Sequence, residues 1–350
     1  MEKPGSTQYL LLQSVKELLQ QTALSATDMG PYADTIWNRL LEASKTEENT
    51  AVCAECIGRI VILEPEAYMP KLDSLLKNSS PGLRAIAVQA LRYTLPEENE
   101  VFDRALRPYL VEMLKAMLDD PEMEIRRHAM STLNSAAHNK PDLILEHLGQ
   151  LMPFVLRESV IKRELIREIQ MGPFKHVVDD GLEVRKAAYE TLYALMETAF
   201  SRINIVDLYD RIVEGLRDDN DIRGLCNLMV SKLVFIEPDE TARRLDAIAE
   251  AFRATLSAKL KETAVKQELE KQDEAKKSVL RVTLLLGDKL KPAALASGSS
   301  SLSSSSSSSG GAIAGAHPAW TSYWEWVNKE FAPLLSSLRA ESREMAGTAA

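Results

Sequence analysis

One short pattern recurs along the chain and narrows the possible folds more than any other feature. It is an aliphatic residue followed by Arg, with a small residue four positions on and an apolar residue eight on. The copies are Leu83-Arg84 with Ala87 and Leu91, Ile125-Arg126 with Ala129 and Leu133, Val184-Arg185 with Ala188 and Leu192, and Ile222-Arg223 with Cys226 and Val230. A degenerate copy, Asn49, Cys53 and Ile57, lacks the Arg. Offsets of four and eight place these residues along one helical stripe. The small residue in the middle lets a second helix come close. Each full copy follows a helix-start signal: Ser80-Pro81, Asp120-Pro121, Asp179-Asp180 or Asp219-Asn220-Asp221.

A second amphipathic stretch follows each patterned helix, at Tyr68 to Leu76, Val101 to Leu118, Leu143 to Leu156, Ile205 to Leu216 and Leu245 to Leu260. Pro65, Pro96, Pro141 and Pro238 punctuate the joints. The unit is a helical hairpin of roughly 40 residues, the period of HEAT-type repeats. A single hairpin cannot bury both faces of its helices, whereas stacked neighbours share a continuous core. The pattern therefore predicts an all-α chain, an α-solenoid of HEAT-type helical hairpins over residues 1–290. Aromatics at 6% and only fifteen Gly and fifteen Pro argue against a sandwich or barrel built on tight turns.

One interval breaks the period. From 125 to 184 the spacing exceeds the usual repeat by roughly twenty residues, and the excess lies at about 160–181. Met171-Gly172-Pro173 is a turn signal, and Phe174 to Val178 is rich in aromatic and β-branched residues. This predicts one β-hairpin protruding from the helical array; the competing reading is a helix kinked at Gly172-Pro173. Insertions in repeat proteins map to one face and are often the binding element.

Past Lys291 the character changes. Residues 291–317 form a Ser/Gly-rich linker, expected to be disordered. In 318–342, Trp320, Tyr323, Trp324, Val327, Phe331, Leu334, Leu335 and Leu338 form the stripe of an amphipathic helix. It either folds back to cover the last repeat or docks in a partner's groove; so large an aromatic patch left exposed would be a liability, which favours the cover.

Little in the chain supports catalysis. His128, His138, His147, His176 and His317 are scattered. Cys53 and Cys56 form a CxxC inside a patterned helix, without the second Cys pair of a zinc site. No GxxxxGK[ST], GxGxxG or GxSxG occurs. The expectation is a binding protein with no catalytic residue, no metal and no cofactor. A net charge of −9 disfavours nucleic acid as main partner. The apolar runs are too short for a membrane span, and the N-terminus shows no signal segment. Three cysteines suit a reducing compartment, and the expected location is cytoplasm and nucleus.

Several segments go beyond a generic repeat. They are Asn134-Ser135-Ala136-Ala137-His138-Asn139-Lys140-Pro141, Lys162 to Ile169, Met171 to His176, Val178 to Leu182, Gln8 to Leu12, and Val265 to Glu268 with Glu270 to Glu274. Together they closely resemble the C-terminal third of the cullin-associated and neddylation-dissociated protein family, nearly collinearly from about residue 6 to 290.

The resemblance implies a non-catalytic exchange factor for cullin–RING ubiquitin ligases. In that family the C-terminal portion grips the N-terminal domain of an unneddylated cullin, itself bound to its RING subunit, and a hairpin competes with the substrate adaptor. Carried over residue by residue, the hairpin is Glu164 to Gly181, with Met171, Pro173 and Phe174 as its apolar tip. The implied cullin-binding and adaptor-displacing residues are Lys162, Arg163, Arg167, Ile169, Met171, Gly172, Pro173, Phe174, Lys175, His176 and Val178. Family members are much longer, and this chain starts with its own Met at mid-solenoid. It is expected to be either a fragment or one of two chains, the other supplying an N-terminal HEAT half. The serine tether and tryptophan helix do not match the family, so no role is carried over to them. The alternative is a generic HEAT scaffold, such as a nuclear transport receptor or a tubulin-folding cofactor.

Overall fold

The computed structural model describes residues 4–25, 30–260, 265–290 and 317–348. The linker expected at 291–317 lies outside the described residues except for its last, His317. The described chain forms two compact units, Met1–Ile203 and Asn204–Ala350.

In the first unit the helices are α1 Pro4–Ser25, α2 Ala33–Ala43, α3 Thr50–Leu63, α4 Pro65–Leu76, α5 Pro81–Thr94, α6 Glu100–Leu106 and α7 Leu110–Leu118. Then come α8 Met123–Asn139, α9 Pro141–Ile144, α10 Leu148–Glu158, strands β1 Ile166–Met171 and β2 Phe174–Asp179, and α11 Leu182–Thr198. Helices α1, α3, α5, α8 and α11 pack side by side as one layer, and α2, α4, α7 and α10 line the other. This is the expected stack of helical hairpins.

The repeated stripe is the seam of the stack. Cys53, Ile57, Ala87, Leu91, Ala129, Leu133, Ala188 and Leu192 are all 0% exposed. Small residues set the spacing. A Cβ on Gly58 would come within 2.8 Å of the Ala90 carbonyl oxygen, so α3 and α5 approach as closely as they do only because position 58 has no side chain.

In the first unit the Arg of the pattern ties its helix to the segments around it. Arg84 donates from Nε to Asp120 Oδ2 at 2.8 Å and from Nη2 to Oδ1 at 3.1 Å, and from Nη1 to the Asn78 and Ser79 carbonyls. Asp120 Oδ1 also accepts from the Glu122 N–H at 2.9 Å, which starts α8. Arg126 on α8 donates to the Asp120 and Pro121 carbonyls and sits 3.0 Å from Glu158 Oε1 at the end of α10. Arg185 on α11 reaches Asp179 Oδ2 at 2.8 Å.

Two stretches expected to run continuously are broken. Val101 to Leu118 divides into α6 and α7 because Pro108 has no N–H to offer the Arg104 carbonyl. Leu143 to Leu156 is interrupted by a 3₁₀ turn at Leu145–His147.

The second unit holds α12 Ile205–Gly215, α13 Asn220–Ile236, α14 Pro238–Arg243, α15 Leu245–Ser257, α16 Lys266–Leu290, α17 Pro318–Glu330 and α18 Ala332–Thr348. The single helix expected over 318–342 is thus two, parted at Phe331, since Pro333 cannot bond back into the turn before it. Helix α17 lies against α15 and α16. Trp320, Tyr323 and Val327 are buried, Tyr323 Oη is 2.7 Å from Thr283 Oγ1, and the backbone N–H of Trp320 donates to Asp246 Oδ1 at 2.9 Å. A Cβ on Gly287 would overlap the Trp324 ring, so α16 is shaped to receive it. The aromatic stripe covers the last helices rather than standing free.

The Arg84–Asp120 pair is nearly enclosed, with side-chain exposures of 11% and 5%. Removing one partner strands the other, so Arg84→Ala is expected to cost about 3 kcal/mol, read as a lowered urea midpoint. Arg84→Met with Asp120→Leu should recover most of that loss.

Candidate partner-docking hairpin

Strands β1 and β2 are antiparallel, from Ile166 opposite Asp179 to Met171 opposite Phe174. That register leaves Gly172 and Pro173 as a two-residue loop. Gly172 has φ +61°. Pro173 is confined near −65°, which excludes a type I′ turn and leaves type II′, with Gly at its first central position.

A two-stranded hairpin alone is marginal in water, so its base decides whether it stands. On the leading side, Glu158 is 1% exposed and gathers Lys162 Nζ at 2.6 Å, Arg126 Nε at 3.0 Å and Arg157 Nε at 3.3 Å. On the trailing side, Asp179 holds the buried Arg185 and accepts from the Gly181 N–H at 3.0 Å. The Asp180 N–H bonds the Leu165 carbonyl at 3.1 Å, one rung beyond the strands. Arg167 grips Asp180 through Nε at 2.7 Å and Nη2 at 3.1 Å. Both legs are therefore tied to helices of the stack.

Above the base, no described side chain of residues 166–180 is buried. Alternation puts Arg167, Ile169, Met171, Phe174, His176 and Val178 on one face and Ile166, Glu168, Gln170, Lys175, Val177 and Asp179 on the other. The first face gathers six of the eleven residues expected at the site. Gly172 and Pro173 form the turn, and Lys175 lies on the opposite face, 3.4 Å from Glu168. Lys162 and Arg163 precede β1, where Lys162 serves the Glu158 clamp. The side chains of Met171 and Phe174 lie outside the described ones.

Sequence reasoning passed over the second face. Val177 is 67% exposed and Ile166 38%, and Val160 and Ile161, in the segment that leads into the hairpin, are exposed as well. The strand alternation that assigns Val178 to one face assigns Val177 to the other, so this signal was present. The Glu158 clamp was not signalled, because its four members come from three separate elements.

The CxxC sits within α3 with both thiols buried, and burial pushes Cys53 up to about 11 and Cys56 up to about 12, far from the thiolate that metal binding or redox chemistry uses. Cys226 is buried in α13 and shifted the same way by burial. Among the described residues no group of three or more His, Cys, Asp or Glu could hold a metal ion. No helix is long and apolar enough to cross a membrane, among the described residues.

A stack of helical hairpins with a braced, exposed β-hairpin defines a helical-repeat protein. The family model TIP120, described as TATA-binding protein interacting (TIP20), matches residues 143–328. An Emericella nidulans protein named cullin-associated NEDD8-dissociated protein 1, C-terminal part, is 47% identical over 341 residues, covering 97% of this chain and 31% of its own length. Cullin-associated NEDD8-dissociated protein 1 of Drosophila melanogaster is 39% identical over 291 residues, 82% of this chain and 23% of that protein. Cullin-associated NEDD8-dissociated protein 2 of Rattus norvegicus is 37% identical over 288 residues, 82% of this chain and 22% of that protein. The chain belongs to the family of cullin-associated NEDD8-dissociated proteins, and it spans a third or less of the length of these relatives.

The Arg167 guanidinium, hydrogen-bonded to Asp180, holds that carboxyl below its ordinary value of 3.8. A carboxyl lowered in the folded state adds stability above its unfolded value, and that contribution is lost as pH falls through the folded one. Hydrogen-exchange protection of the β1 and β2 amides should hold steady from neutral pH to about 4 and fall below it, and Asp180→Asn should abolish that acid dependence.

Proposed function

We propose that this chain is a non-catalytic regulator of cullin–RING ubiquitin ligases that binds the N-terminal domain of an unneddylated cullin and drives off the substrate adaptor. The observation that carries the reading is the hairpin: solvent-facing along its length yet anchored at both legs. The names of the relatives, cullin-associated and NEDD8-dissociated, support the choice of partner.

The mechanism is one of shared space. A braced hairpin loses little conformational freedom on docking, so less of its contact energy is spent on ordering. Its tip, Met171-Gly172-Pro173-Phe174, inserts where the adaptor would sit. Each of the two ligands then weakens the other on a common cullin by the same factor, and this reciprocity lets the regulator speed adaptor exchange without consuming any substrate. Lys162, Arg163, Arg167 and Lys175 bias orientation and encounter rate more than affinity. Ile169, His176 and Val178 extend the contact down the first face. The RING subunit remains on the cullin throughout.

Further HEAT-type repeats, on a companion chain, form part of this reading. Helix α1 exposes Leu10, Leu11 and Leu18 at more than 60% each, an apolar surface on which another helical hairpin would stack. The expected setting is the cytoplasm and nucleus.

Replacing Met171, Pro173 and Phe174 together with Ala should remove on the order of 3 kcal/mol of apolar burial, slowing displacement of a fluorescent adaptor from the cullin about a hundredfold. Helical content by circular dichroism should not change. Displacement at the parental rate would leave the hairpin without this role.

A further inference from the structure

The fourth copy of the repeated pattern departs from its siblings. Arg84, Arg126 and Arg185 each lie within ion-pair distance of a carboxylate, whereas Arg223 on α13 reaches, among the described residues, only Asn220 Oδ1, from Nη2 at 3.3 Å, and its buried Nε, like that of Arg126, has no hydrogen-bond partner among them. One turn on, Asn227 is 4% exposed. Its Nδ2 donates to Ser278 Oγ at 3.0 Å, and its Oδ1 has no partner among the described residues. Turning the amide over would exchange the two atoms and leave Nδ2 unmatched instead. Buried polar groups without partners are few in native proteins, and here two lie one helical turn apart.

Both residues line a groove of about 650 Å³ between α13, α15 and α16. Leu216, Phe252 and Val279 also line it, and Leu228, 53% exposed, stands on its wall. Its charged lining comprises Arg223, Lys271 and Arg281 against Asp221 and Glu274, with Arg281 already engaged by Glu274 at 3.2 Å. Among the described residues the lining thus carries one more basic than acidic side chain, on a chain of net charge −9. Among the described residues it lacks a carboxylate paired with the Arg223 guanidinium, a group that both donates and accepts beside Asn227, and apolar cover.

An extended peptide supplies all three. We propose that this groove docks a short peptide segment of a partner protein, in which an Asp or Glu pairs with Arg223. The adjoining peptide group then bonds Asn227, satisfying either orientation of its amide, and a neighbouring apolar side chain covers Leu216, Phe252 and Val279. The site is separate from the hairpin and does not depend on the cullin reading.

The test uses the full 350-residue chain and two fluorescein-labelled peptides, one alternating Leu and Glu, the other Leu and Lys. Fluorescence anisotropy should show saturable binding of the Leu/Glu peptide. Arg223→Gln and Asn227→Leu should each weaken it about tenfold or more. Leu228→Glu, at an exposed position that the fold tolerates, should weaken it by charge repulsion. The Met171, Pro173, Phe174 triple-Ala variant should bind the peptide as the parent does. Equal binding of both peptides, or binding indifferent to all three groove substitutions, overturns the proposal. So does a concentration-dependent dimer in sedimentation that Leu228→Glu dissolves, since a second copy would then fill the groove.

Discussion

The first unit depends on an arginine that faces along the array instead of into it. Apolar stripes bring helices together but leave each hairpin free to rotate on the next, because hydrophobic contact has no preferred direction. Arg84 removes that freedom. Its planar fork binds Asp120 through two bonds and also closes the carbonyls of Asn78 and Ser79, and Arg supports such bidentate geometry where Lys would not. Arg126 likewise links α8 to Glu158 at the end of α10, and Arg185 holds Asp179 just ahead of its own helix, so these two arginines land on the two feet of the β-hairpin. Two arginines of the repeated pattern thus also brace the legs of the hairpin.

Much of this was legible in the residues. The stripe Ala87, Leu91, Ala129, Leu133 was read as core from spacing alone and is fully buried. The hairpin followed from a broken period and from Gly172-Pro173, because only a few turn geometries accept that dipeptide. What the pattern could not reveal were partners distant in sequence. That Arg84 pairs with Asp120 depends on how the helices stack, since thirty-six positions separate them. The division of one C-terminal helix at Phe331 was foreshadowed by Pro333, but the tryptophan stripe continued through it and concealed the break. Alternation drew attention to the hairpin face with Met171 and Phe174, while Val177 on the other face went unweighed.

Apolar side chains outside the helical seams meet two fates. Trp320, Tyr323 and Val327 are drawn under cover, and the phenol of Tyr323 finds Thr283 so that burying the ring leaves no stranded hydroxyl. Leu10, Leu11, Leu18 and Val177 instead face solvent. An exposed leucine alone needs no explanation. Three on one helix, and a β-branched residue midway along a hairpin, are more than chance placement requires.

A strand pair standing in water also has two bare rims, each a row of unmatched amides and carbonyls that would welcome an identical neighbour. Natural sheets blunt such rims with charge, and this one carries Arg167, Glu168, Lys175 and Asp180, already neutralising one another in pairs. Two copies meeting rim to rim would have to strip water from those ions or pull the pairs apart. The salt bridges that steady the finger thus also keep it from zipping onto its own kind in a crowded cell, so their loss should show first as clumping, before any loss of fold.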